Sequence, residues 1–102
     1  MMNNRLEIAY EFAESIKSDK IDTIILFGSV AREEDTESSD IDILIVSDYK
    51  KEIESEIDEV AFNIVLDKQE VISPHITSNA KLDDIKNFRF MHNVRRDGVV
   101  LI

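Results

Sequence analysis

Thr23-Ile24-Ile25-Leu26-Phe27-Gly28-Ser29-Val30-Ala31-Arg32 is followed, after a short acidic loop, by Ser39-Asp40-Ile41-Asp42-Ile43-Leu44-Ile45-Val46. Both apolar runs are short and rich in β-branched residues, and Gly28 stops the first, so length and composition favour two buried strands over helices. Side chains of a strand alternate faces, so Asp40 and Asp42, two apart at the start of the second strand, point the same way and can grip one cation or cation pair. Carboxylates held that close repel each other unless a charge offsets them. Mg²⁺, a cation that prefers oxygen ligands, does so when a triphosphate supplies its remaining ligands. Gly28 lets backbone amides approach a phosphate closely, the Ser29 hydroxyl adds a hydrogen bond, and an adjoining helical turn adds its positive N-terminal end.

Outward from this centre, Leu6, Ala9, Tyr10, Ala13 and Ile16 recur at three or four positions and predict a helix over residues 6–16. Ile53, Ile57, Val60, Ala61 and Ile64 form a second stripe, opposite Glu52, Glu56 and Glu59, and predict a long helix from Lys50 to Asp67. Glu70 to Thr77 reads as a third strand, with Pro74 arguing for an edge position or a strand end because proline cannot donate to the ladder. Ser78 or Asn79 caps a helical stretch running towards Arg96, and Asp97-Gly98 turns the chain into a last strand, Val99 to Ile102. Strands alternate with helices, so the expected class is α/β (α+β), a small mixed β-sheet flanked by helices in a single domain spanning 1–102.

Composition narrows the function. With 43% hydrophobic and 33% charged residues, two glycines and one proline, the chain fits a compact domain rich in regular structure. It has no cysteine, which excludes disulfides and thiolate metal sites and fits a cytoplasmic protein. No apolar run approaches the roughly 20 residues that span a bilayer, and Met1-Met2-Asn3-Asn4-Arg5 leads into an amphipathic stretch, so no membrane association is expected. A formal charge of −10 repels phosphate backbones and disfavours an extended nucleic-acid surface, while leaving acidic clefts open to divalent cations.

Gly-Ser or Asp-x-Asp alone is a weak signal, but the ordered pair is a strong one. A strand ending in Gly28-Ser29, Arg32 three on, then Ser39-Asp40-x-Asp42 opening a second strand resembles the polymerase β-like nucleotidyltransferase fold and superfamily. It is most similar to the minimal nucleotidyltransferases found as antitoxins beside HEPN ribonuclease toxins. Arg95-Arg96-Asp97-Gly98-Val99 also resembles the usual ending of these small proteins, and the likeness covers nearly the whole chain. The resemblance implies that Gly28 and Ser29 hold the triphosphate of ATP, and that Asp40 and Asp42 bind two Mg²⁺ ions and are the catalytic pair. Ser39 falls within the nucleotide-binding motif, and Arg32 matches a basic position that supports the phosphate loop or contacts the nucleotide. It further implies in-line attack by an acceptor hydroxyl on the α-phosphate with loss of pyrophosphate. For the antitoxin group the product is AMP on a tyrosine of the partner HEPN toxin, a covalent silencing. Homo- or hetero-oligomers are compatible with this reading.

One departure stands out. The superfamily places a third carboxylate on the third strand, yet Val71-Ile72-Ser73-Pro74-His75 has none at the aligned position, near Val71. Glu70 is adjacent but faces the other way, whereas Ser73 and His75 share the face of Val71. Three alternatives follow: a register shift or bulge brings Glu70 inward, His75 assists, or transfer is slow or absent and the chain neutralises its partner by docking alone. A remnant of an antibiotic or tRNA nucleotidyltransferase is disfavoured by the short length, which leaves no acceptor-binding domain. Read singly, several residues have plainer roles: Gly28 as a turn glycine, Ser29 as a helix N-cap and Arg32 as a surface ion-pair partner. His75 and His92 would be surface or packing residues, and Phe88, Phe90 and Met91 core or interface. Lys81, Lys86, Arg89, Arg95 and Arg96 make the C-terminal third the most basic region.

Overall fold

The computed structural model describes residues 4–84 and 88–102; the expectations resting on Met1-Met2-Asn3 and on Lys86 fall outside the described residues. The element order is α1 (Asn4–Ile16), β1 (Thr23–Phe27), α2 (Gly28–Ala31), β2 (Ile41–Val46), α3 (Lys50–Lys68), β3 (Ile72–Thr77), α4 (Asn79–Leu82), α5 (Phe88–Asp97) and β4 (Val99–Val100). The strands form one four-stranded sheet in the order β3-β2-β1-β4. β1 runs antiparallel to β2 and to β4, while β2 and β3 are parallel. A parallel pair needs a long crossover, and α3 is that crossover.

The mixed sheet flanked by helices is the α/β arrangement expected from the sequence, and β1 and β2 have the expected bounds. Their mostly apolar composition follows from packing on both faces. On one face Ile24, Leu26, Ile41, Ile43 and Ile45 pack with Ile8 and Phe12 of α1 and with Ile53, Ile57 and Ala61 of α3. On the other, Leu44 and Val46 pack with Met91 and Val94 of α5, and Ile25, Phe27 and Leu82 join them partly buried. Asp42 belongs to this second face and interrupts its apolar row. Pro74 lies on the edge strand β3, where its missing N–H takes nothing from the ladder.

Several details differ from the sequence reading. The buried stripe of α1 is Arg5, Ile8, Ala9, Phe12, Ala13 and Ile16, rotated from the expected one, so that Tyr10 is exposed. β3 begins at Ile72, with Glu70 outside it, and the final strand is confined to Val99–Val100. The segment after Gly28 opens with α2 before becoming loop. Its N-cap is Phe27, so Ser29 lies inside the helix and does not cap it. Ser78 does cap α4, its hydroxyl accepting from the Lys81 N–H, but that helix ends at Leu82 and α5 is a separate helix. Met91 is core, whereas Phe88 and Phe90 are exposed.

Candidate active site

Strand register assembles the site. Phe27 is paired with Asp42 across β1 and β2, so the turn at Gly28 lies beside the Asp42 carboxylate. Gly28 has φ of +76°, a left-handed conformation that disfavours any side chain. A Cβ added there would stand 2.5 Å from Asp42 Oδ2. Glycine is therefore required twice, by the backbone and by the carboxylate packed against it. The turn continues into α2, and the Ser29 carbonyl accepts the Glu34 N–H at 2.9 Å, fixing the start of the acidic loop.

Asp40 and Asp42 share one face, as their spacing predicts, and β3 presents Ser73 and His75 to them. Ser73 lies opposite Asp42 in the parallel register, and its hydroxyl donates to Asp40 Oδ2 at 3.1 Å. His75 Nε2 is 3.7 Å from Asp42 Oδ1, beyond hydrogen-bond distance but within ion-pair range when the ring is protonated. The imidazole stands edge-on to Phe27, with ring centroids 5.3 Å apart, and Phe27 meets Phe90 of α5 at the same separation. This aromatic row runs from the acids towards α5.

Beside Gly28 a cleft of about 220 Å³ is lined by Phe27, Arg32, Phe90, Asn93, Val94 and Asp97. Arg32 lies on its rim with Nε 3.1 Å from Glu34 Oε2. A hydrogen bond from Arg96 holds the Asp97 carboxyl below its ordinary range. A larger hollow, about 700 Å³, runs along α1 between Glu7 and Ser15; it is shaped by one helix and lies apart from the carboxylate pair.

The remaining sequence candidates are engaged elsewhere. The Ser39 hydroxyl accepts the Thr36 N–H at 2.9 Å and closes a turn just before Asp40. The Glu70 carboxylate is taken by Arg5, with Nε to Oε2 at 2.9 Å, so no bulge turns it towards the aspartates. Burial alone would lower the Arg5 pKa, but its hydrogen bonds to Asp35 and Glu70 prevail and hold the guanidinium above its ordinary value. Sequence reading missed Arg5, although a signal existed: it falls in phase with Ile8, Ala9 and Phe12 on the buried stripe. No sequence signal pointed to Phe27, Phe90 and Asn93 as neighbours, because helix docking alone brings α5 against β1.

Among the described residues, no group of three His, Cys, Asp or Glu side chains is gathered as a metal site. The donor set is two carboxylates, with a hydroxyl on one of them and a glycine kept clear of the other. That set suits Mg²⁺, which keeps several waters and binds through one or two carboxylates plus substrate phosphates.

The sequence pattern of the nucleotidyltransferase domain family matches residues 9–96, and the chain belongs to that family. It is 39% identical over 94 residues to the Methanocaldococcus jannaschii protein named "Putative protein adenylyltransferase MJ0604", covering 89% of this chain and 91% of the relative. In fold it resembles a toxin–antitoxin crystallised with AMP-PNP, with a TM-score of 0.63 and 19% identity over 98% of this chain and 73% of that one. A mutant of the toxin–antitoxin MntA–HpeT gives 0.61 and 17% over the same shares. At these identities the two structures speak for the fold. Among the described residues no helix is long and apolar enough to cross a membrane.

Proposed function

We propose that this chain is a Mg²⁺-dependent adenylyltransferase that moves AMP from ATP to a tyrosine hydroxyl of a partner HEPN toxin, acting as its cytoplasmic antitoxin. The observation that carries the reading is the packing of the Gly28 turn against Asp42, with Asp40 on the same face. The relative named as a protein adenylyltransferase and the toxin–antitoxin likeness support the choice of acceptor.

In this reading the amides at the head of α2 and the Ser29 hydroxyl orient the triphosphate, and Arg32 attends it from the cleft rim. Asp40 and Asp42 hold two Mg²⁺ ions, which supply neutralisation of the phosphate oxygens and polarisation of the reacting centre. The acceptor oxygen forms a bond to the α-phosphorus as the bond to the pyrophosphate oxygen breaks, and the hydroxyl proton is released. The cleft beside Gly28 receives the part of the nucleotide that extends beyond the phosphates.

A second reading is favoured by Ser73 and Glu70. The β3 position facing the aspartates carries a hydroxyl in place of an acid, and the nearest acid is bound to Arg5. On this reading the chain neutralises its partner by binding alone. Intact mass of a co-expressed candidate partner, the product of the neighbouring reading frame, after incubation with this chain, ATP and Mg²⁺, separates the two. A gain of AMP units that vanishes with Asp40→Asn/Asp42→Asn establishes transfer. A stable complex without mass gain establishes docking alone, and neither result with the encoded neighbour overturns both readings.

A further inference from the structure

Arg5 is a charged residue on the buried face of a helix, only 9% exposed. Burying a guanidinium is costly unless its donors are taken, and here they reach two separate segments of the chain. Nε donates to Glu70 Oε2 at 2.9 Å, ahead of β3. Nη1 donates to Asp35 Oδ2 at 2.8 Å and to the Thr36 carbonyl, and Nη2 to the Glu37 carbonyl at 3.0 Å. Helix α1, the acidic loop and the approach to β3 are thus tied through one side chain.

These bonds hold a turn that closes one residue before Asp40. The Thr36 carbonyl that accepts from Arg5 also accepts the Ser39 N–H at 3.0 Å, and the Thr36 N–H donates in turn to the Ser39 hydroxyl. Asp40 is next, and Ile41 then joins the sheet through its N–H to the Val71 carbonyl at 2.8 Å. The loop carries Glu33, Glu34, Asp35 and Glu37 ahead of Asp40 and Asp42, so mutual repulsion favours its opening. Arg32 offsets Glu34 at an exposed position, while Arg5 acts from beneath the loop and holds the backbone itself.

We propose that Arg5 is the positioning residue for Asp40: by clamping the backbone at Thr36 and Glu37 it holds the Asp40 carboxylate beside Asp42, and so sets the affinity of the pair for a divalent cation with its nucleotide. Arg5 touches neither ligand. The inference rests on the reading of Asp40 and Asp42 as a cation–nucleotide site. The same clamp accounts for Glu70, which serves the loop from the opposite side of the chemistry. Lysine is no substitute, because one ammonium group cannot span two carboxylates and two carbonyls as the planar fork does.

The test is calorimetric titration of AMP-PNP into the protein across a Mg²⁺ series, with amide hydrogen exchange over residues 33–40 measured without metal. Arg5→Lys and Arg5→Gln are expected to raise the half-saturating Mg²⁺ concentration about 10- to 100-fold, the usual effect of losing a group that orients a metal ligand. They should also speed exchange in the loop. Asp35→Asn, which keeps Arg5 and weakens one anchor, gives a smaller shift and serves if the Arg5 variants do not fold. Ile57→Ala, a core change on α3, controls for lost stability and should leave half-saturation unchanged. Wild-type half-saturation and loop protection in folded Arg5 variants, or an equal shift in Ile57→Ala, overturns the positioning role. Failure of the wild-type protein to bind AMP-PNP with Mg²⁺ overturns instead the site assignment beneath it, and the positioning role falls with it.

Discussion

Replacing Gly28 by alanine tests the closest contact in the site. A non-glycine residue held in the left-handed region costs about 1–2 kcal/mol. The new Cβ would meet Asp42 Oδ2 at 2.5 Å, about 0.9 Å short of ordinary van der Waals contact, so the carboxylate must move. For a domain of this size about 1 kcal/mol shifts Tm by roughly 4–8 °C, so the backbone term alone predicts a fall of about 5–15 °C. Metal ligands tolerate displacements of only about 0.2 Å, and a misplacement of about 1 Å at a reacting centre costs roughly 100-fold. Gly28→Ala is therefore expected to fold, to melt earlier and to lose Mg²⁺-dependent AMP-PNP affinity by about 10- to 100-fold. A double-mutant cycle separates the two effects. In an Asp42→Ala background the crowding is gone, so Gly28→Ala should cost less Tm there than in the wild-type protein. Equal costs in the two backgrounds, or wild-type affinity in Gly28→Ala, would refute the crowding argument.

Phe12→Ala, at a fully buried position between α1 and the sheet, is expected to lower stability by about 3–5 kcal/mol by urea unfolding; a loss under 1 kcal/mol would mean the core is not packed there as described. Ser73→Asp would set a third carboxylate opposite Asp42, so its Tm should fall in EDTA and rise with Mg²⁺ by more than the wild-type Tm does; an equal Mg²⁺ response would place residue 73 outside the site. Glu70→Gln keeps an acceptor for Arg5 and should retain AMP-PNP binding within about threefold, whereas a loss as large as that of Asp42→Asn would make Glu70 a ligand. The Arg96 hydrogen bond lowers the folded-state pKa of Asp97, so its contribution to stability is present above the ordinary carboxylate value and is lost as pH falls through the lowered one. The Tm gap between wild type and Asp97→Asn should accordingly close in acid, and a gap that widens there would reverse the sign of that coupling.

Local pattern was enough wherever chemistry and periodicity act over a few residues. Thr23–Phe27 and Ile41–Val46 read as strands because β-branched and apolar residues dominate two stretches too short for a buried helix, and α3 shows its buried face at helical spacing. Alternation along a strand put Asp40 and Asp42 on one face, and a glycine ending β1 marked the turn beside them. Periodicity did not set the phase of α1, because Tyr10 and Leu6 lie close enough to the stripe to be taken for it, while an arginine on the buried face looks like a surface residue until its partners are known. A four-residue helix such as α2 carries no period at all.

The alternation of strands and helices, the glycine turn and the paired acids are all legible locally, because each depends on residues close together in the chain. Tertiary structure alone decided that Ser73 and His75 face those acids, that Glu70 turns away to Arg5, and that Phe90 and Asn93 close a cleft beside Gly28. Those neighbours meet through the parallel register of β2 and β3 and the docking of α1 and α5. Both are set by packing between distant segments, and no local run of residues encodes them.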